Sequence, residues 1–542
     1  MTTLAAAPRA GFGATAGDFT GTGQMLRLAL RRDRVIAPAW SLLIGLMPAI
    51  QVVSIQDLYS TQAQLDQFAA TTAASPALLA MYGPVFSSAE GSIGTWKAGA
   101  MYTLIAVATI LTVIRHTRVE EETGRAELVG ATSIGRFAGL TGALALTYGA
   151  ALLAGLACTL SLLACGLPAG GSLAFGAALA ASGLVWGAVA AVAAQVSAGA
   201  RIARGTAFAA LGAAFALRAV GDAGNGVLSW FSPLGWSLQI RPYADERWWV
   251  LLPSAALAVA ATAAAYRLLD TRDLGSGLIA ERPGPARAGA ALAGPLGLAW
   301  RLQRGSLVAW TVGFALYGLL IGGAIDTIDD MLGDSQTMVD MVTRMGGSQN
   351  LQLSFIAYAV TMLAAAASAY SVSAALRLHE EEGSGRAETV LATGVGRFRY
   401  AASHLVFAVT GPAVALLAAG VGIGVVYGLT DGDLPHRLGQ SLGAVAVQFP
   451  AVWVVTAITV LLYGALPRFA TAAWAVLSAM IVIFLLGSLD GLPGWVMDLV
   501  PFAHPPKLPS APFEAAPVLW LGAIAAVGLA AGLVAFRRRD LR

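Results

Sequence analysis

An eighteen-residue segment rich in acidic and basic residues occurs twice in this chain, at 120–137 and at 381–398. The two copies share the pattern E-E-x-x-G-R-A-E-x-V-x-A-T-x-x-G-R-F, which is twelve identical residues. A long apolar stretch precedes each copy and another follows it. The fold must therefore remove both apolar stretches from water while the polar segment between them stays accessible. This arrangement predicts an internally duplicated membrane protein with two polar loops.

The composition agrees with a membrane location. Hydrophobic residues make up 57% and charged residues 12% of the 542 residues, whereas soluble domains carry about 25% charged residues. Windows of about 20 residues predict twelve membrane spans. The predicted spans are 36–56, 95–115, 139–166, 173–197, 205–221, 248–268, 306–325, 351–376, 403–428, 441–464, 469–489 and 517–536.

Basic residues are distributed unevenly between the predicted loops. When the N-terminus is placed in the cytoplasm, 26 of the 33 lysines and arginines fall on the cytoplasmic side. Cytoplasmic loops of membrane proteins are enriched in Lys and Arg. The chain is therefore predicted to be a multi-pass protein of the cell membrane with both termini in the cytoplasm.

The duplication extends over both halves of the chain. An L-x-L-A-x-R-x-x-R motif at 26–34 recurs at 296–304, and each half closes on Arg-Asp-Leu, at 272–274 and 539–541. Six spans return each half to its starting side, so the halves are predicted to be parallel repeats. The predicted fold is an all-α polytopic membrane protein of two parallel six-helix repeats, each opening with an interfacial amphipathic helix. The predicted domains are a flexible tail at 1–23, a first half at 24–269, a cytoplasmic linker at 270–295 and a second half at 296–542.

The duplicated segment has the character of a charged helix. Glu121 precedes Arg125 by four residues, which is the favourable order for an ion pair on a helix. Gly124 and Gly135 bracket residues 125–134, a length of about 15 Å if helical. Such a helix, protruding into the cytoplasm, can dock on a soluble partner. The alternative is a solvated loop that stays polar only to avoid lipid.

The motif E-E-x-x-G-R-x-E followed by A-T-x-x-G-R, between a second and a third span, resembles the ABC-2-type exporter permeases. With two six-span halves, the whole chain is similar to the double-length permeases of actinobacterial antibiotic and multidrug exporters. The resemblance implies that the first cytoplasmic loop of each half contacts a separate nucleotide-binding ATPase. The implied contact residues are Glu120, Glu121, Gly124, Arg125, Glu127, Thr132, Gly135 and Arg136, and in the second copy Glu381, Glu382, Gly385, Arg386, Glu388, Thr393, Gly396 and Arg397. The copies differ just before the motif, Arg118-Val119 against His379-Glu380, so the two contacts need not be energetically equivalent.

The sequence lacks the motifs of an ATPase and of a metalloenzyme. No G-x-x-x-x-G-K-[ST] phosphate loop occurs, and that loop is what cradles the phosphates of ATP in P-loop enzymes. No paired-cysteine or H-E-x-x-H metal motif occurs either. The chain is therefore predicted to be no enzyme, with no catalytic residue, no metal site and no cofactor of its own. ATP and Mg are expected on the partner, two copies of a cytoplasmic ABC ATPase, and no nucleic acid is expected as a partner.

The main alternative is a twelve-span, ion-coupled secondary transporter of the major facilitator type. That family's charged loop reads G-x-x-x-D-R-x-G-R-R, which residues 121–136 do not match. Ion coupling also generally requires carboxylates within the bilayer, and no Asp or Glu lies inside the twelve predicted spans. An energy source outside the membrane is the simpler interpretation.

Spans without carboxylates favour a hydrophobic or amphiphilic small molecule as the transported substrate. Aromatic and methionine side chains at corresponding positions of spans two and eight are the candidates for a substrate pathway between the halves. They are Trp96, Tyr102, Phe355, Tyr358 and Met362. The aromatic segments 222–247 and 490–516, which precede the last span of each half, are candidate extracellular gates, with anchoring at the lipid interface as the alternative.

Overall fold

The computed structural model describes residues 16–273, 275–279, 287, 289, 292, 294–325, 350–487 and 493–540. Within these residues the regular secondary structure is helical and no strand occurs. Twelve of the described helical segments are long and apolar enough to cross a membrane, which confirms the predicted all-α, multi-pass membrane protein. The chain divides into two compact units, unit 1 at 1–283 and unit 2 at 284–542.

Unit 1 is a bundle around one central helix, α10, which packs against α6, α9, α11 and α13. Its helices are α1 (Thr22–Arg32), α2 (Ile36–Leu58), α3 (Gln62–Ala73), α4 (Pro76–Tyr82), α5 (Glu90–Trp96), α6 (Ala100–His116), α7 (Arg118–Glu122), α8 (Arg125–Gly130), α9 (Ala138–Ala164), α10 (Ala169–Val196), α11 (Ala200–Ala223), α12 (Pro233–Gln239) and α13 (Leu251–Thr271).

Small residues bring α9 and α10 of unit 1 into close contact. A Cβ on Gly155 would lie 2.5 Å from the carbonyl oxygen of Gly176, and Ala154 and Ala178 are fully buried nearby. In lipid there is little hydrophobic drive for helix association, so close backbone packing of small residues supplies the attraction. The alanine- and glycine-rich composition thus determines how tightly the bundle packs.

Unit 2 is built around α15 and α19, which pack against each other. Its described helices are α14 (Pro295–Ala324), α15 (Leu351–Gly383), α16 (Arg386–Leu391), α17 (Arg397–Asp431), α18 (Leu434–Ala446), α19 (Phe449–Ala465), α20 (Ala473–Gly487), α21 (Gly494–Met497) and α22 (Ala515–Arg538). In this unit α14 packs on α17, and α19 packs on α22.

The two units begin differently. In unit 1 the amphipathic helix α1 is separate and ends at a turn around Asp33, whereas in unit 2 the corresponding residues are the first turns of one 30-residue helix, α14. A separate amphipathic helix in each half, as predicted, therefore holds for unit 1 only. Pro38 near the start of α2 explains the break, because proline has no N–H to donate to the preceding turn. The corresponding residue, Val308, lets α14 continue.

A charged pair lies inside one of the spanning helices. In α11, Arg218 Nη1 lies 3.3 Å from Asp222 Oδ2, and the two residues are only 4% and 6% exposed. Asp222 lies one residue beyond the predicted span 205–221, in the last turn of α11, which ends at Ala223. The pairing with Arg218 allows the Asp222 carboxylate to be buried, since a buried charge needs a partner of opposite sign.

The segment between α11 and α13 folds back over the end of unit 1 that is remote from residues 118–137. Tyr243 inserts its ring against Gly91 and Gly171, where a Cβ on either glycine would overlap the ring, and its hydroxyl lies 2.9 Å from Ser172 Oγ. Burial raises the pKa of the Tyr243 hydroxyl, so it stays protonated. Of the other candidate gate, 490–516, residues 490–492 lie outside the described residues, and Val500 and Phe502 are buried in unit 2. Gating by either segment stays a prediction.

Candidate functional site

The first charged loop, residues 118–137, turns at a glycine. Helix α7 ends at Glu122, Gly124 adopts φ +70°, and α8 follows from Arg125 to Gly130. A residue with a Cβ would pay about 1 kcal/mol for this backbone conformation, which explains the glycine. The short helix predicted for 125–134 is present, but it ends at Gly130.

The second charged loop, residues 379–398, repeats this local structure. Helix α15 ends at Gly383, Gly385 adopts φ +71°, and α16 follows from Arg386 to Leu391. The shared G-R-A-E sequence therefore specifies the same left-handed turn and the same short helix in both units. The main local difference is that α15 enters the loop without the break that separates α6 from α7.

The first glutamate of each copy pairs with the arginine five residues later. Glu120 Oε1 lies 3.4 Å from Arg125 Nη1, and Glu381 Oε2 lies 2.8 Å from Arg386 Nε. The hydrogen bond to Glu381 raises the pKa of Arg386 above its ordinary value. The predicted pairing of Glu121 with Arg125 is wrong, because the glycine turn interrupts the helix and residues four apart no longer share a face.

The second glutamate of each copy binds the arginine that directly follows the last helix of its unit. Glu121 Oε2 accepts a hydrogen bond from Arg272 Nη1 at 2.8 Å, and its Oε1 accepts one from Nη2. Glu382 Oε1 accepts from Arg539 Nη1 at 2.7 Å, and its Oε2 accepts from Nη2. Burial opposes the charge of Arg539, but its hydrogen bonds to Glu382 raise its pKa above the ordinary value. Each unit thus joins its charged loop to its last helix by a bidentate ion pair.

A second arginine of each loop binds the same helix end through backbone oxygens. Arg136 donates to the carbonyls of Leu269, at 2.9 Å, and Arg272, at 2.7 Å. Arg397 donates to the carbonyl of Arg539 at 2.8 Å. The last carbonyls of a helix have no partner within the helix, so these guanidinium groups satisfy them and favour the negative end of the helix dipole.

The partners of these glutamates are the functional residues that motif analysis missed. In unit 1, Arg118 is fully buried and lies 2.8 Å from Glu121, and Gln195 accepts from Arg272 Nε at 2.8 Å. In unit 2, the Tyr463 hydroxyl donates to Glu382 at 2.8 Å. One sequence feature could have indicated these partners, the Arg-Asp-Leu repeated at the end of each half. Its arginines are Arg272 and Arg539, which bind Glu121 and Glu382.

The predicted contact residues divide into buried and exposed groups. Glu121 and Glu382 have side chains only 10% and 9% exposed, so they offer little surface for the contact that the resemblance implies. Among the predicted contact residues the exposed ones are Arg125, Glu127, Thr132 and Arg136 in the first copy, and Gly385, Arg386, Glu388, Thr393 and Gly396 in the second. Of the rest, Glu381 is buried, and Glu120, Gly124, Gly135 and Arg397 are half-buried. Docking by any of them stays a prediction.

Residues 18–20, near the N-terminus, pack against the end of the first loop. Phe137 N donates to the carbonyl of Asp18 at 2.9 Å, and the Phe137 ring contacts Phe19 and Tyr266. These residues belong to the predicted tail 1–23, of which 1–15 lie outside the described residues. The corresponding Phe398 of the second loop is 61% exposed. The two loops therefore differ at this phenylalanine, although their ion pairs correspond.

The candidate pathway residues of unit 1 are buried inside the unit. Trp96 is 6% exposed and its indole N–H donates to the Gly83 carbonyl at 2.7 Å. Tyr102 is 2% exposed and lies against the ring of Phe175, at 5.1 Å between centroids. Both side chains are therefore packed within unit 1.

The candidate pathway residues of unit 2, Phe355, Tyr358 and Met362, are half-buried on α15. Met362 lines an open apolar groove of about 520 Å³ between α14 and α15, together with Trp310 and Tyr317. A pathway role for all five residues stays a prediction.

Comparison with known proteins identifies the family. Residues 292–537 match the family described as the C-terminal domain of the multidrug efflux system permease Rv1217c. Over 525 residues the chain is 54% identical to the multidrug efflux system permease protein Rv1217c of Mycobacterium tuberculosis (strain ATCC 25618 / H37Rv), covering 97% of this chain and 96% of the relative. The chain belongs to the Rv1217c permease family. The resemblance to multidrug exporter permeases drawn from the duplicated motif is confirmed.

The first charged loop of this Rv1217c-family chain also lines a cavity of about 400 Å³. Its walls are α1, α8 and the start of α9, with Arg32, Glu120 and Arg136 among the lining residues. Arg32 lies 2.7 Å from Glu120, which raises the pKa of the arginine and ties α1 to the loop. Within the described residues no group of three or more His, Cys, Asp or Glu side chains could hold a metal ion.

Proposed function

We propose that this chain is the permease subunit of an ATP-driven ABC exporter that moves hydrophobic or amphiphilic drugs and antibiotics out of the cytoplasm. The name of its relative, a multidrug efflux system permease, supports the transport of drugs. In this proposal the chain lies in the cell membrane with both termini in the cytoplasm. ATP and Mg bind two copies of a separate cytoplasmic ATPase, and this chain performs no hydrolysis itself.

The duplicated charged loop is the observation that carries the proposal. Each copy forms the same glycine turn and short helix and is fixed to the last helix of its unit by a buried ion pair. The exposed sides of both short helices carry the same glutamate, Glu127 or Glu388, and both turns that follow carry the same threonine, Thr132 or Thr393. Two such surfaces suit two copies of one partner.

The docking test uses exposed residues of the loops. The variant Glu127→Lys with Glu388→Lys reverses one exposed charge in each loop, and we expect recovery of the ATPase with the purified permease to fall about ten-fold or more. Removing a hydrogen bond to a charged group at an interface costs about 1.5–3 kcal/mol, and each 1.4 kcal/mol is ten-fold in affinity. The control is Glu514→Lys, an exposed acid before α22. Normal ATPase recovery with the double variant, or an equal decrease with the control, would contradict docking at these surfaces.

The ion-coupled alternative keeps one supporting observation, the carboxylate of Asp222 within α11. Its pairing with Arg218 argues against a role as a proton carrier, because the carboxylate is already compensated. Drug efflux measured with a protonophore and with ATP held high separates the two functions. We expect efflux to continue, and arrest of efflux under these conditions would support the secondary transporter.

A further inference from the structure

We propose that the two ion pairs Glu121–Arg272 and Glu382–Arg539 transmit movement of the charged loops to the last helix of each unit, α13 and α22. This inference rests on the proposed function, since it assigns the route by which ATPase movement reaches the membrane. We call Glu121, Arg136 and Arg272 clamp 1, and Glu382, Arg397 and Arg539 clamp 2. In this role these residues are positioning residues and do not contact the substrate.

Each clamp holds its loop at both ends. Glu121 and Arg136 bind residues 269–272 from the two ends of the segment that contains α8. In the same way, Glu382 and Arg397 bind residues 537–539 from the two ends of the segment that contains α16. Because both ends attach to one place, the segment cannot tilt without displacing the helix end.

The ion pairs are rigid enough to carry this movement. Both are bidentate, an arrangement that fixes the relative orientation of the two groups as well as their distance. The side chains of Arg272 and Arg539 are 2% and 15% exposed, so water has little access to the pair. A residue near the end of the central helix completes each clamp, Gln195 in unit 1 and Tyr463 in unit 2.

The recurrence of the clamp argues for more than local stabilisation. The surroundings differ between units, since fully buried Arg118 assists clamp 1 and the corresponding residue in clamp 2 is His379, whose ring lies against Tyr463. The glutamate, both arginines and their targets nevertheless correspond. These shared contacts join the loop to the last helix in both units.

The test replaces the ion pair of clamp 2 by apolar side chains of similar length. In the variant Glu382→Met with Arg539→Met no charge is left unpaired, and apolar replacement of a buried ion pair is often neutral or stabilising. We therefore expect normal thermal stability and normal ATPase recovery, but at least about ten-fold less drug transported per ATP hydrolysed. The matched control is Arg538→Met, an exposed arginine one residue earlier. Unchanged transport per ATP in the double variant overturns the proposal.

A conservative variant separates transmission from folding. Arg539→Lys keeps the charge but offers a point contact in place of the bidentate one, so we expect it to fold and to show transport per ATP between wild type and the double variant. If no ATPase accompanies even the wild-type chain, the proposed function fails, and amide exchange of the chain alone then tests the clamp. Residues 384–391 and 534–539 should lose protection together in the double variant, and loss confined to one segment overturns the link.

Discussion

The ion pair between Arg218 and Asp222 in α11 allows a quantitative test of local stability. It lies at the end of unit 1 that is away from the charged loop. Arg218 pairs with Asp222 and also donates to the carbonyls of Ala80, at 2.9 Å, and Met81, at 3.0 Å. It therefore fixes the end of α4 to α11. Asp222 in turn accepts a hydrogen bond from Ser229 Oγ at 2.5 Å. One pair of side chains thus anchors segments on both sides of α11.

The perturbation is Asp222→Ala, which leaves Arg218 buried without a counter-charge. Breaking a buried ion pair by removing one partner costs about 3–5 kcal/mol. If that cost is expressed as local opening, amide exchange in 76–83 should accelerate by roughly 10²-fold to 4 × 10³-fold, since each 1.4 kcal/mol is ten-fold. The double variant Arg218→Met with Asp222→Ala should open the same segment, because it also removes the two hydrogen bonds to α4 carbonyls.

Amide exchange of the purified chain in detergent, read by mass spectrometry, measures this directly. The control is Asp57→Ala, an exposed aspartate at the end of α2, for which we expect no change in 76–83. If Asp222→Ala exchanges like the wild type, Arg218 does not depend on this carboxylate and the energetic reasoning is refuted. Acceleration everywhere in unit 1 would also contradict it, because it would indicate global instead of local opening.

Three further outcomes are expected. Gly385→Ala should destabilise the second charged loop by about 1 kcal/mol, because the φ of Gly385 is positive. Gly383→Ala should not destabilise it, because no atom lies within 4 Å of the added Cβ. The rate of protease cleavage in the loop measures both effects. Gly171→Ala should displace the ring of Tyr243 and increase its iodination, whereas Gly170→Ala, with only a glutamate carboxyl nearby, should leave it unchanged. The isolated chain should hydrolyse no ATP above a detergent blank, and turnover there would contradict the assignment of hydrolysis to a partner.

The sequence by itself determined the class of fold and the local structure of the site. Apolar windows placed the twelve spans because the thickness of the bilayer sets their length and allows few charges. The duplicated motif located both charged loops, and its invariant spacing around Gly124 and Gly385 specified the left-handed turns, since only local backbone sterics decide them. The family likeness rested on those same residues.

The tertiary structure decided which charges meet. Glu121 pairs with Arg272, which is 151 residues away, and not with Arg125, because the glycine turn removes the helical register on which the local rule depends. The low exposure of Glu121 and Glu382 follows from that pairing, and it leaves Glu127 and Glu388 as the exposed acids among the predicted contact residues. The repeated motif also did not show where the first helix of each unit would end. In unit 1 the chain breaks between α1 and α2, because Pro38 lacks a backbone N–H donor. In unit 2 the corresponding residue is Val308, and α14 runs unbroken. Side-chain partners far apart in the chain are fixed by packing, and periodicity carries no information about them.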